Sequence, residues 1–143
     1  MRTIFALILA TFNLVNSSTL SAENHVINAV GVSFSPEVLT IEPGDSVQWN
    51  TLTVHSVGAV DGFIPDGAVI WESEIGENVE MSFTQEGIYI YRCKPHQRLA
   101  MAGAVIVGNP TNLDDLKTKI PEPFLVKIVE KAIAAAEQLK SAQ

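Results

Sequence analysis

Between Tyr91 and Met101 the chain reads Tyr-Arg-Cys-Lys-Pro-His-Gln-Arg-Leu-Ala-Met, which sets its only cysteine, a histidine and a methionine at the spacing Cys-x2-His-x4-Met. A thiolate, an imidazole and a thioether on one short loop are soft and borderline donors that suit copper. One distant histidine would complete the set. Two His and one Cys in a trigonal plane with a weak, long axial Met is the ligand arrangement of blue-copper electron-transfer centres. His55 is the best candidate for the missing donor, so the expected metal ligands are His55, Cys93, His96 and Met101.

The single cysteine sharpens this reading. A lone Cys in an exported chain has no internal partner, so it is inert in the core, paired to another molecule, or committed to other chemistry. Arg92 and Lys94 flank Cys93 and argue against deep burial of this turn. A free, exposed thiol in an oxidising compartment is a liability unless a metal occupies it. Four protein donors leave no open coordination position for a substrate, whereas catalytic metal sites keep one. His25 has no partner motif beside it and reads as a strand or surface residue.

Short runs of β-branched and aromatic residues must position these donors. They lie at His25 to Ala29, Val38 to Ile41, Val47 to Asn50, Val79 to Phe83, Ile88 to Tyr91 and Ala104 to Val107. Turn signals separate them, among them Pro43-Gly44-Asp45, Pro65-Asp66-Gly67, Gly76-Glu77-Asn78 and Glu86-Gly87. Short strands between regular turns imply an antiparallel sandwich. Cys93, His96 and Met101 would lie on the loop leaving one strand and entering the next. His55 would reach the same end from the loop after Val47 to Asn50.

From about residue 112 the period changes. Asn112 is placed to cap a short helix running to about Lys119, with Asp114 and Asp115 in its first turn. Pro121 and Pro123 interrupt the chain, and a second helix is expected from Phe124 to about Lys140. Its stripe of Leu125, Ile128, Val129, Ala132, Ile133, Ala136 and Leu139 recurs at steps of three and four. The polar face mixes both signs of charge, so the stripe is read as packing on the chain's own sandwich rather than on anionic lipid.

The first residues look like an export signal. Met1 and Arg2 precede an apolar run from Ile4 to Leu14, followed by small polar residues ending in Ser21-Ala22. That run is short of the ~20 apolar residues a spanning helix needs. Residues 1–22 are assigned to the signal, with cleavage after Ala22 or, alternatively, Ser21, and 23–143 to one domain. The mature chain would carry 16 acidic and 8 basic residues, a formal charge of −8. Such an acidic chain repels the phosphate backbone, which excludes a nucleic-acid site; no membrane attachment is expected.

These features together resemble the pseudoazurins, a branch of the cupredoxin family of periplasmic blue-copper electron carriers. The resemblance runs from about Phe34 to the C-terminus and includes Pro43-Gly44-Asp45, Ile64-Pro65-Asp66-Gly67-Ala68, the ligand loop, Val105-Ile106-Val107-Gly108 and Asn112-Leu113. Plastocyanins share the loop spacing and the Pro95-His96-Gln97 triplet but lack a helical tail. The resemblance implies an all-β, eight-stranded Greek-key sandwich with two C-terminal helices, and one type 1 copper. It also implies one-electron shuttling with redox enzymes or cytochromes, such as a c-type cytochrome or a copper nitrite reductase. By the same resemblance His96 is the ligand nearest the surface. Docking is expected there, with Arg92, Lys94 and Arg98 facing the partner. Three departures stand out: Ser56 replaces the usual Asn, Gln97-Arg98-Leu99-Ala100 replaces a Gly- and Met-rich patch, and the usual ring of lysines is absent.

Two other functions fit parts of the sequence. A copper chaperone or store would use some of the same donors, but such proteins more often carry Met-rich or His-rich tracts, and this chain has 3 Met and 3 His. A metal-free binding module would use the sandwich alone.

Overall fold

The computed structural model describes residues 21–50 and 53–142. The signal-like segment of residues 1–20 lies outside them. The described residues form eight strands: β1 Asn24–Val30, β2 Ser33–Ser35, β3 Val38–Ile41, β4 Ser46–Asn50, β5 Gly58–Ala59, β6 Val79–Ser82, β7 Gly87–Arg92 and β8 Ala102–Val107. Two helices follow, α1 Leu113–Thr118 and α2 Val126–Ala142. The strands form two four-stranded sheets, ordered β2-β1-β4-β6 and β3-β8-β7-β5.

The expected sandwich is present, but its sheets are mixed rather than antiparallel. β1 runs parallel to β4, with Asn24 opposite Ser46, and β3 runs parallel to β8, with Val38 opposite Ala104. The chain changes sheets at every connection from β2 to β7, so only β1–β2 and β7–β8 pair as neighbours in sequence. Side-chain alternation reports which face is buried, not the direction of the adjacent strand. β2 and β5 lie beyond the six runs read from the sequence, because two or three residues such as Gly58-Ala59 are too short to show a period.

β7 and β8 hold the molecule together because both of their faces are covered. Tyr89, Tyr91, Val105 and Val107 point between the sheets, where they meet Ile27, Phe34, Val47, Trp49 and Phe83. Ile88, Ile90, Ala104 and Ile106 point the other way, onto Leu113, Leu116, Leu125, Ile128, Val129, Ala132 and Ala136 of the helical tail. That double burial explains why Ala102–Val107 reads as an unbroken run of apolar or small residues. Ala132 and Ala136, both fully buried, present small side chains where α2 meets the sheet.

The tail thus packs on its own domain, as its stripe implied. Asn112 has a different job from the expected helix cap. Its side chain makes no cap hydrogen bond. Instead Oδ1 accepts from the Ile88 N–H at 2.7 Å and Nδ2 donates to the Ile88 carbonyl at 2.9 Å, fastening the start of α1 to β7. Lys117 reaches Glu137 at 2.7 Å, and Lys131 pairs with Glu37. Among the described residues no helix is long and apolar enough to cross a membrane.

Candidate metal centre

Cys93 follows β7 directly, and Met101 directly precedes β8. The Cys93 N–H donates to the Met101 carbonyl at 2.9 Å, so the strand pair itself clamps both ends of the loop. Inside that clamp the backbone folds on itself. His96 N–H donates to the Cys93 carbonyl at 3.2 Å, and Leu99 N–H to the His96 carbonyl at 2.9 Å. A single 3-10 turn, Gln97–Leu99, ends at Ala100 in the left-handed region, with φ 58°. Tyr91, two residues before the cysteine, is fixed between Phe34 and Trp49 in edge-to-face contacts with centroids 5.0 and 5.3 Å apart.

His55 arrives from the segment after β4. Its carbonyl accepts from the Gly76 N–H at 3.0 Å. Just beyond it, the Val57 N–H donates to the Ser73 hydroxyl at 2.9 Å and the Ser73 N–H to the Val57 carbonyl at 2.9 Å. Ser56 links the two segments: its N–H points at Cys93 Sγ, 3.5 Å away, and its hydroxyl accepts from the Lys94 N–H at 3.3 Å. The shorter side chain at this position therefore still bridges, through a long hydrogen bond.

These contacts bring three of the four sequence candidates to one point. The Nδ1 atoms of His55 and His96 are 3.0 Å apart, and Cys93 Sγ lies 3.7 and 3.4 Å from them. The three donor atoms lie within 4.8 Å of one another. A triangle with those sides has its centre about 2.0 Å from each corner, near the bond lengths of imidazole and thiolate to a first-row metal, about 2.0–2.3 Å. Burial, then the neighbouring His96, holds the His55 imidazole below its ordinary pKa, so its ring is neutral and keeps a lone pair to donate. The residues present fit a copper ion. Met101 is fully buried in the same core as Cys93.

Exposure differs between the two histidines. His55 is buried, whereas His96 is half-buried and lies next to the exposed Lys94, Pro95, Arg98 and Leu99. His25 stands apart on β1, with Nε2 2.9 Å from Asp45 Oδ2.

Arg92 is not a free cation. Its guanidinium makes a two-pronged pair with Glu72, at 3.0 and 2.8 Å. The pair lies across Gly58, where any Cβ would come within 2.7 Å of both side chains. Arg92 thus ties β7 to the segment that leads into Ser73. A carboxylate satisfies the Arg92 fork, while Lys94 and Arg98 are the exposed basic residues of the loop. Glu72 and Ser73 had no signal in the sequence beyond their place before the Gly76-Glu77-Asn78 turn.

Comparison with known proteins agrees with this geometry. Residues 21–108 match the family model described as copper binding proteins, plastocyanin/azurin family. A pseudoazurin of Paracoccus pantotrophus is 35% identical over 106 residues, spanning 70% of this chain and 73% of that protein. The crystal structure of a pseudoazurin from Methylobacterium extorquens AM1 superposes with a TM-score of 0.72 at 26% identity, covering 78% of this chain and 98% of the other. The native pseudoazurin of Hyphomicrobium denitrificans gives 0.71 at 26% identity, covering 78% and 97%.

Proposed function

Because the chain belongs to the plastocyanin/azurin family of copper-binding proteins and is a pseudoazurin-type carrier with one type 1 copper, we propose that His55, Cys93, His96 and Met101 are its copper ligands. The convergence of His55 Nδ1, His96 Nδ1 and Cys93 Sγ carries the assignment. When bound, the copper supplies one-electron chemistry by cycling between Cu(II) and Cu(I). The protein supplies a fixed frame. Cys93 and Met101 are clamped by the β7–β8 ladder, His55 is held by Gly76 and its neighbour-but-one Val57 by Ser73, so little need move between the two states.

With four protein donors assigned, no position remains for a substrate, and the role is transfer rather than catalysis. Residues 1–22 act as an export signal and residues 23–143 form the mature periplasmic domain. Electrons enter and leave through the half-buried ring of His96. Its partners are redox proteins, a c-type cytochrome or a copper nitrite reductase, met by a surface that includes Leu99, Lys94 and Arg98.

Titrating the metal-free protein with Cu(II) tests the ligand set. One equivalent should produce the intense visible thiolate-to-copper band, and the centre should survive dialysis and cycle reversibly in voltammetry. Absence of the band would reject the ligand set. Ready surrender of Cu(I) to a competing chelator would instead indicate a chaperone.

A further inference from the structure

At the end of β4 away from His55, the carboxylate of Asp45 is buried, 5% exposed, and collects three donors. Oδ1 accepts from the Glu23 N–H at 2.8 Å, and Oδ2 from the Glu42 N–H at 3.0 Å, with His25 Nε2 2.9 Å away. The backbone around it is equally fixed. Asp45 N–H donates to the Glu42 carbonyl and Phe83 N–H to the Asp45 carbonyl, at 3.1 and 2.9 Å. The copper centre uses none of this.

Among the described residues, Glu23 is where the β1 end is fastened to the fold. Its carbonyl accepts from the Ser46 N–H at 2.9 Å, which starts the β1–β4 ladder. Ser21 and Ala22 before it are exposed and outside any strand, so the Ala22–Glu23 bond is open to a protease while the nitrogen on its far side already touches a buried carboxylate. A carboxylate out of water gains far more from a charged donor than from a neutral amide.

We propose that Asp45 is a built receptor for a mature α-ammonium group, and that processing occurs at Ala22–Glu23. Hydrolysis adds the hydroxyl of water to the Ala22 carbonyl carbon and a proton to the Glu23 nitrogen. The nitrogen then takes up a further proton from solvent to become an ammonium. The neutral hydrogen bond at Asp45 Oδ1 becomes an ion pair without movement of Glu23, and β1 starts from a pinned end. Cleavage after Ser21 would leave the charge on Ala22, one residue upstream of the nitrogen that touches Asp45. The inference rests on the export reading for the cleavage after Ala22, and adds the partner that receives the new terminus. The titratable group facing Asp45 is His25; the side chains of Glu23 and Glu42 are exposed.

The full 143-residue chain should be produced in an exporting bacterium, and the intact mass of the periplasmic product measured. The α-amine of the copper-loaded product should then be titrated by its rate of acetylation from pH 6 to 10, followed on the N-terminal peptide. The mass should correspond to a chain beginning at Glu23. Half-protonation should fall above the ordinary α-amino range of about 7.7–8.0, with acetylation at pH 7.5 several-fold slower than in Asp45→Asn, whose copper band is unchanged. Cleavage at another bond overturns the inference and leaves export standing; no cleavage overturns both. An ordinary α-amine titration in the wild type also overturns it, and needs no variant to fold.

Discussion

Each proposed ligand is held by a different kind of contact, and substitutions should separate their roles. Cys93 supplies the electron-rich sulfur behind the visible band, so Cys93→Ser should abolish that band in the copper-loaded protein. Persistence of an intense colour would sink the assignment. Met101→Gln should keep the band but lower the reduction potential, because an amide oxygen stabilises Cu(II) better than a thioether. Voltammetry of the pair reads both outcomes. Pro95 acts by what it lacks. Without an N–H it cannot donate to the Cys93 sulfur, which is approached by the Ser56 N–H at 3.5 Å. Pro95→Ala should add a donor, draw charge from the sulfur and raise the potential. An unchanged or lower value would reject that account.

At the scale of elements, the β7–β8 ladder connects packing to the metal centre. Gly103 faces Tyr91 across the ladder, and a Cβ built on it would lie 2.2 Å from the Tyr91 hydroxyl. Tyr91 is fully buried between Phe34 and Trp49 and has no room to swing away. Gly103→Ala should therefore cost about 1–3 kcal/mol through overpacking. Urea unfolding of the metal-free protein would show this as a lower midpoint with an unchanged slope. Stability equal to that of the wild type would mean that the Tyr91 ring has another place to go. The same ladder ends in the Cys93–Met101 hydrogen bond, so the variant should also broaden or shift the copper band.

For the whole molecule, charge decides both folding and encounter. The two backbone N–H groups and His25 that meet at Asp45 hold its carboxyl below the ordinary value of 3.8, with the Glu23 N–H the largest cause. A carboxyl whose pKa is depressed by folding contributes stability above its unfolded pKa and loses it as pH falls through the folded value. The wild type should thus lose stability as pH drops below about 4, and Asp45→Asn, less stable at neutral pH, should show a flatter acid limb in thermal melts. Parallel curves for the two proteins would refute this linkage. Around the ligand loop, Lys94 and Arg98 stand on a body of formal charge −7 over the full chain, while Arg92 is spent on Glu72. On the docking proposed above, that asymmetry would steer the His96 face toward an acidic patch on a partner, and rates should fall as salt rises. Reversing Lys94 and Arg98 to Glu should slow association several-fold at low salt and leave the copper spectrum intact, whereas Arg92→Glu should act mainly on stability. Equal stopped-flow rates for the wild type and the double reversal would exclude docking by this face.

Much of the molecule was legible in the chain itself. Residue type and spacing alone singled out Cys93, His96 and Met101 as a copper-suited loop, because soft donors are rare and this chain has a single cysteine. Short β-branched and aromatic runs between turn signals marked six strands, and the three-and-four stripe marked the packed face of α2, because strand propensity and one-sided helix burial both leave a local trace in the sequence. What the pattern does not carry is direction, long-range pairing or the job of a polar side chain. The parallel partnerships of β1 with β4 and β3 with β8 depend on a chain that changes sheets. Asn112 looks like a helix cap and instead binds β7, since Ile88 lies within reach only after folding. Arg92 looks free beside the loop until Glu72, distant in sequence, arrives across Gly58. His55 could be chosen from the sequence only as the best of few candidates. Tertiary structure alone brings it within 3.0 Å of His96, 41 residues away, because the two loops are tied together through Ser56 and Lys94.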